Sequence, residues 1–539
     1  MPPSYQPSGP SAPSTIIQPL DFLPGVQRDG TMLDSQRAVD SLWTRWRLGR
    51  ARKMKGYQQI AGTLGGLPRN IHAYYNGLYI YIHVGTTESL QQYVVDLNGT
   101  LISSADRTPL AASFYGIFSD WTFDSIFDTV SGTVRLVAHI NSSAKTIAST
   151  DTSTPFLGPI LSSSPLVAFS DPGAGAYSGG TWTVPSYAGG IVCIQPYVFG
   201  FDVLGRIAWS GPNQPLTLGI TGGTSGAGQV YASSSKIVAG LPVRGGGTQQ
   251  PAALFLSLNE AIYVSFVGSN AGYFGFNTIS SSSSILSQKS FLEYDGIYYW
   301  AGRDRFLMYN GTVLELPNTQ NQDWFFDNLT PGYESKTYAF KVPKYGEIWF
   351  CAALFGATEP SHAVIFNVRE SCFYDTVLPN GGRSAGKNSP GFKYTIMGGT
   401  AQSASGYPLW LHEIGTDEVN GSNINPVRSY FETPWFGSQR SNPPLDKGMT
   451  VQRLEPDILQ SGDLSVTVLG SANAKAPLDT GPTETIKAIP SVPQEQLTSF
   501  KQSHRLSRLH IESNTIGGNF VTGKNLLHVL PSDARVTSG

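Results

Sequence analysis

The sequence predicts a mainly β protein: an irregular β-propeller body, with an extended N-terminal arm and a small C-terminal antiparallel β domain. Three observations predict it. Of 539 residues, 59 are Gly and 36 are Pro, and only 14% are charged, against roughly 25% in an ordinary soluble domain. Such a composition suits many short strands joined by turns, with surface that partners cover in place of solvated charge. Asn76-Gly77, Asn98-Gly99, Asp295-Gly296 and Asn310-Gly311 each stand between apolar or aromatic runs, as type I′ hairpin turns do. A loose repeat of turn, aliphatic residue and aromatic strand recurs as NGLYIYIHV at 76, NEAIYVSFV at 259, DGIYYWAGR at 295, YGEIWFCAA at 345 and GYPLWLHEI at 406. The later copies are roughly 36 to 61 residues apart, near the length of a four-stranded propeller blade. A β-sandwich array with turns alike by composition is the competing reading.

Taken in order, residues 1–20 are Pro/Ser-rich and have little to bury. Alone they are expected to be disordered or polyproline-like, or else held by a neighbouring subunit. They carry no basic segment followed by an apolar one, so they do not read as a signal peptide. Residues 22–60 form a basic island whose cations are Arg28, Arg37, Arg45, Arg47, Arg50, Arg52, Lys53 and Lys55. Its acids, Asp29, Asp34 and Asp40, all lie in the first half, and Trp43, Trp46 and Tyr57 interleave the second. A helix over 34–48 is expected, with Val39, Leu42, Trp43 and Trp46 on one face and Gly49 ending it; the W-x-x-W spacing with alternating Arg also suits a strand. The strand texture begins near residue 57, and Asp151–Tyr187 and Leu216–Gly247 read as long insertions. After about Asp446 the runs 464–469 and 506–511 alternate, around a long loop at Ala476–Gln496. The expected domains are therefore a 1–60 arm and basic anchor, a 61–445 body and a 446–539 β domain.

Little in the sequence points to catalysis or to a cofactor. The nucleophile elbow, the Walker loop, the H-E-x-x-H and the C-x-x-C motif are missing. Cys193, Cys351 and Cys372 are an odd, scattered set, expected to be reduced and buried. The closest histidines, His504 and His510, have no acid at ligand spacing with both. Asp120, Asp124 and Asp128 recur every fourth residue and are expected on a solvated face, with glycan cleavage or metal binding the sharper alternative. Gly245–Gly247 after Arg244 reads as a loop tip. The net charge of -2 gives no global attraction for nucleic acid, and no apolar run approaches the length of a membrane span. The basic island has three readings: a solvated charge run, a phosphate contact, or an anchor between subunits. Paired Trp in a near-neutral chain favours the anchor.

Pro24-Gly25-Val26-x-Arg28-Asp29, the Trp/Arg stretch with Gly49 and Lys53, and Gly56-Tyr57 resemble the opening of head-completion proteins of short-tailed bacteriophages. These are the packaged-DNA stabilisation, or tail nozzle, proteins. The other end is similar too, in Arg508-Leu-His-Ile-Glu-Ser-Asn514, Gly518-x-Phe520-x-x-Gly523, Leu526-Leu-His-Val and Asp533-x-Arg535. The middle matches only in β-rich texture. The resemblance implies a propeller with a platform domain, no catalysis, and a homo-oligomeric ring, usually a hexamer, below the portal and adaptor proteins of the virion tail. It implies a conduit that retains packaged DNA and passes it during ejection, touching double-stranded DNA only transiently, with docking of a tail fibre or tailspike open. The chain would be made in the cytoplasm of the bacterial host. The residues expected at the assembly interface are Arg28, Trp43, Arg45, Trp46, Arg47, Arg50, Arg52, Lys53, Arg508 and Arg535. A carbohydrate-binding or carbohydrate-cleaving propeller is the alternative.

Overall fold

The computed structural model describes residues 15–31, 33, 35–109, 119–129, 131–142, 155–169, 189–219, 226–243, 250–268, 273–437, 448–489 and 498–531. Among them the chain is mainly β, in many small antiparallel sheets, with one short α-helix at Gln322–Asp327. Two compact units divide it, drawn differently from the expected domains. One comprises 1–56, 370–376 and 415–539; the other comprises 57–369 and 377–414. Arm, basic island and C-terminal domain thus belong to one unit.

The larger unit is a succession of short meanders. Their first strands are Pro68–Tyr75, Ser119–Asp128, Gly190–Ile194, Ile237–Pro242, Phe291–Tyr294, Tyr338–Val342 and Arg383–Asn388. In the last sheet Thr395–Gly399 and Leu409–His412 follow, and Leu409–His412 pairs with Tyr57–Gln59, from the other end of the sequence. Each first strand neighbours the next, and the seventh neighbours the first. The cores lie between consecutive sheets. Ile80 and Ile82 of the first sheet pack with Ile396, Leu409 and Leu411 of the last. Trp121 and Leu136 join Leu90 between the first and second sheets, and Phe199 joins Phe255 and Ile262 between the third and fourth.

All four expected hairpin dipeptides fall between paired antiparallel strands. Only Asp295-Gly296 has positive φ at both residues, at 51° and 79°, as type I′ requires. At 76, 98 and 310 the glycine alone is left-handed, because the loops are longer and side chains such as Asn76 and Asp96 accept the freed amides. The five repeat copies lie on second strands at 80, 297 and 347 but on third strands at 261 and 409, so they mark hairpins and not one place in a sheet. The expected insertions contain strands, at Phe156–Pro159, Val167–Ala168, Gly228–Tyr231 and Ile237–Pro242.

The smaller unit joins both ends of the chain. Ile16–Pro19 pairs with Leu526–Pro531, which pairs with Met449–Glu455 and through it Thr498–His504. A five-stranded sheet runs Asp40–Leu42, Ser429–Glu432, Leu506–Ser513, Leu464–Ser471 and Asp479–Ile486. A third sheet runs Ile458–Ser461, Asn519–Thr522, Arg50–Lys53 and Thr44–Arg47. Two expectations are corrected here. The segment expected as a helix over 34–48 is mostly short edge strands, because the partners that Asp40–Leu42 and Thr44–Arg47 find in Ser429–Glu432 and Arg50–Lys53 outweigh local propensity; Asp34 itself lies outside the described residues. Within the expected loop 476–496 lies the edge strand Asp479–Ile486, whose largely exposed faces leave no apolar alternation to read.

Candidate functional site

Trp43 has φ of 50°, which breaks the strand in two and shifts its alternation by one. Both Trp43 and Trp46 consequently turn inward, 3% and 0% exposed. The Trp43 amide donates to Thr376 Oγ1 and its indole N–H to the Lys55 carbonyl, each at 2.9 Å. Trp46 lies 5.3 Å from the Tyr374 ring. The two tryptophans expected as a docking anchor are core residues of their own unit.

The strands Thr44–Arg47 and Arg50–Lys53 form a hairpin that sets Arg45 opposite Arg52 and Arg47 opposite Arg50, an arrangement of like charges that is unfavourable unless countered. Arg45 is buried, Arg47 and Arg52 are half-buried and Arg50 is exposed. Lys53 is buried on the other face of the strand. Burial pushes its ammonium down to about 8, against the opposing pull of Asp417. At the tip, Leu48 and Gly49 have φ of 54° and 70°, and both their amides donate to the Glu370 carboxylate, at 2.7 and 3.0 Å. Leu48 is held in a conformation unfavourable for its side chain, and it is 76% exposed.

Arg28 and Arg508 come together with residues that the sequence reading passed over. Arg28 forks onto Asp375, at 3.1 and 2.8 Å, and also bonds Asp40. Burial pulls its guanidinium down, but the two carboxylates outweigh that and hold it above the usual arginine range. Tyr430 donates to Asp40 at 3.1 Å and stacks 4.6 Å from the His510 ring. His510 bridges Glu432 and Glu512, with both ring nitrogens 3.0 Å from a carboxylate oxygen. Burial alone would favour the neutral ring, yet the two carboxylates push it up to about 9. Burial likewise opposes ionisation of Glu512, but His510 and Arg428 push it down to about 2. Arg508 closes the cluster on Glu432 at 2.9 Å and lies 4.8 Å over the Trp435 ring. Cations and carboxylates match one for one, so the cluster ties the N-terminal segment to the C-terminal sheet. Its signal was the alternation of Arg508, His510 and Glu512 along one strand. Arg535 lies outside the described residues.

The glycines of the two chain ends have steric reasons. A Cβ on Gly56 would stand 2.1 Å from the Asp417 carbonyl oxygen, and one on Gly523 1.9 Å from the Asp457 carboxylate.

In the larger unit a short turn, Gln288–Ser290, meets the starts of several first strands. Gln288 donates to the Gly189 carbonyl at 3.2 Å, and Lys289 to the Arg69 carbonyl at 2.8 Å and Asp120 at 3.1 Å. One turn thereby touches the starts of the first, second and third sheets while leading into the fifth. Arg69 and Lys336 share Glu359 beside it. The three acids expected on a solvated face are instead engaged on a strand: Asp120 by Lys289, Asp124 by the Cys193 amide at 2.7 Å, and Asp128 by Arg135 at 2.7 Å. Strand spacing puts them on one side, and each meets a neighbouring element.

A second exposed feature of this unit is aromatic. The helix Gln322–Asp327 packs Phe325 and Phe326 on Phe306 and leaves Trp324 half-exposed, with Asp323 and Asp327 exposed. Trp324 lies 5.7 Å from Phe355 and 6.2 Å from His362, which is 5.2 Å from Phe355. Phe355 has φ of 56° and is 55% exposed. Cys193, Cys351 and Cys372 are buried and form no disulfide, and Gly245–Gly247 lie outside the described residues. Among the described residues no group of His, Cys, Asp or Glu could hold a metal ion, and no helix is long and apolar enough to cross a membrane.

No protein-family model matches the chain, and no curated protein matches it.

Proposed function

We propose that the chain is a structural virion protein, a subunit of a tail nozzle ring that retains packaged DNA and conducts it during ejection. One observation carries the reading. The two stretches that resemble nozzle proteins stand at opposite ends of the sequence, yet their described residues 24–56 and 508–529 belong to one unit. Arg50–Lys53 pairs with Asn519–Thr522, and Arg28 and Arg508 join one ionic cluster. Residues similar by sequence thus serve one structure, the platform of this reading.

The larger unit is, in the same reading, an irregular propeller of seven blades. Support comes from the succession of neighbouring first strands, from cores lying between consecutive sheets, and from the pairing of Tyr57–Gln59 with Leu409–His412 of the last sheet. The turn at Gln288–Ser290 then stands where the blades converge. DNA would pass along the axis of the ring of subunits, and a near-neutral chain suits a conduit in which DNA must slide.

The test is assembly of the purified full chain, with and without its adaptor, by mass photometry and electron microscopy. A closed ring is expected, and DNA binding that is weak and steeply salt-dependent. A chain that stays monomeric with its adaptor refutes the reading. The carbohydrate-binding alternative draws on the Trp324–Phe355 rings, which could stack on a sugar. Saturable quenching of tryptophan fluorescence by oligosaccharides would favour it.

A further inference from the structure

Two exposed apolar side chains of this protein, Leu48 and Phe355, sit on left-handed backbone. Such a conformation is uncommon and unfavourable for a residue with a side chain, and exposing a large apolar group forgoes its burial as well. The Leu48 side chain stays largely in solvent, and Phe355 is only partly covered, by Trp324 and His362. Both positions are nevertheless built: Glu370 accepts both amides of the Leu48 tip, and the Phe355 amide donates to the Asn328 carbonyl while Gly356 N–H bonds Thr330 Oγ1.

Their surroundings are opposite in sign. Leu48 lies between Arg47 and Arg50, which face each other across the hairpin. Phe355 lies beside Trp324, whose helix exposes Asp323 and Asp327 one turn apart. A basic tip with an apolar point and an aromatic platform with an acidic border are complementary. A leucine seats on aromatic faces, and an arginine beside it can stack on Trp324 while pairing with a carboxylate.

We propose that the Arg47–Arg50 hairpin tip of one copy docks on the Trp324–Phe355–His362 platform of a second copy. The two features are different surfaces, so the contact is heterologous, and repetition generates a ring where the rotation closes. The inference deepens the ring reading and rests on it for the occupant: a subunit that repeats around an axis needs two unlike, complementary faces.

The experiment uses the full chain, with self-association measured by mass photometry and sedimentation. Leu48→Asp, Arg50→Glu and Asp327→Arg should each weaken association on the order of tenfold or more, with unfolding midpoints at the wild-type value. Arg50→Glu combined with Asp327→Arg should restore it. Leu48→Cys and Phe355→Cys should be joined between copies by a short bis-maleimide. Wild-type association in all three single variants overturns the contact and leaves the ring reading standing. Open chains or dimers that Arg50→Glu abolishes and the double variant restores overturn the ring and leave the contact standing. Oligosaccharide bound at Trp324, with association indifferent to Leu48→Asp, assigns the platform to a glycan and overturns the proposal.

Discussion

Replacing His510 by Gln should cost stability in mild acid and almost nothing in alkali. In the folded protein His510 donates to Glu432 and Glu512 at once, which only the imidazolium can do. Its proton is held to about 9, against an ordinary 6.5. A folded value above the unfolded one means stability that is complete below pH 6.5 and is lost as pH rises through 9. The difference corresponds to about 3 kcal/mol, an upper bound, because the ring is 17% exposed and solvent screens the pair. Glu512, held to about 2 against 4.5, contributes stability present above pH 4.5 and lost as pH falls through 2. It describes the same ion pair from the other side and does not add. The cluster therefore stabilises most between pH 4.5 and 6.5. The assay is urea unfolding of wild type and His510→Gln across that range and up to about pH 10, with hydrogen exchange in Leu506–Ser513 as the local probe. The gap should be about 2–3 kcal/mol at the acid end and should shrink towards zero as the wild-type ring deprotonates. A gap that stays constant with pH, or widens in alkali, refutes the argument.

Trp46→Ala should destabilise the smaller unit by about 3–5 kcal/mol, whereas Leu48→Ala should leave the urea midpoint unchanged. Lys53→Met should raise the midpoint at neutral pH, by up to about 3 kcal/mol; because the lysine's folded value is lowered, the gain should fall away as pH rises through 8 towards 10.5. Gly56→Ala must displace the Asp417 backbone, and thermal unfolding should show a loss of about 1–3 kcal/mol.

Strand content was legible because its signals are local. Asn-Gly and Asp-Gly between apolar runs mark hairpins whatever surrounds them, and 506–513 alternates because one face meets a core. The basic island was misread where a single residue decided the outcome. Left-handed Trp43 rephases the strand, and no window of the sequence reports that. Exposed edge strands such as Asp479–Ile486 lack a buried face and hence a pattern. Least legible were the partners supplied from far away. Glu370 holds the Leu48 tip and Asp375 holds Arg28 from a seven-residue excursion out of the other unit's sequence. The cluster around His510 was half visible, as alternating charges, but its carboxylate at Glu432 comes from a strand 78 residues away.

Pairing of the first described strand with the last also sets a timetable for biosynthesis. Ile16–Pro19 has Leu526–Pro531 as its neighbour, Arg50–Lys53 has Asn519–Thr522, and Tyr57–Gln59 has Leu409–His412. At roughly 5–20 residues per second on the ribosome, the earliest strands wait on the order of half a minute to a minute and a half for the chain that completes them. The meanders from 68 onward can close as they emerge, each on local hairpins. The arginine–tryptophan hairpin can close on itself, but its neighbouring strand Asn519–Thr522 is among the last described strands to emerge. Emergence of the strands between Asn519 and Pro531, and not of any earlier segment, is the event that completes these two sheets of the smaller unit.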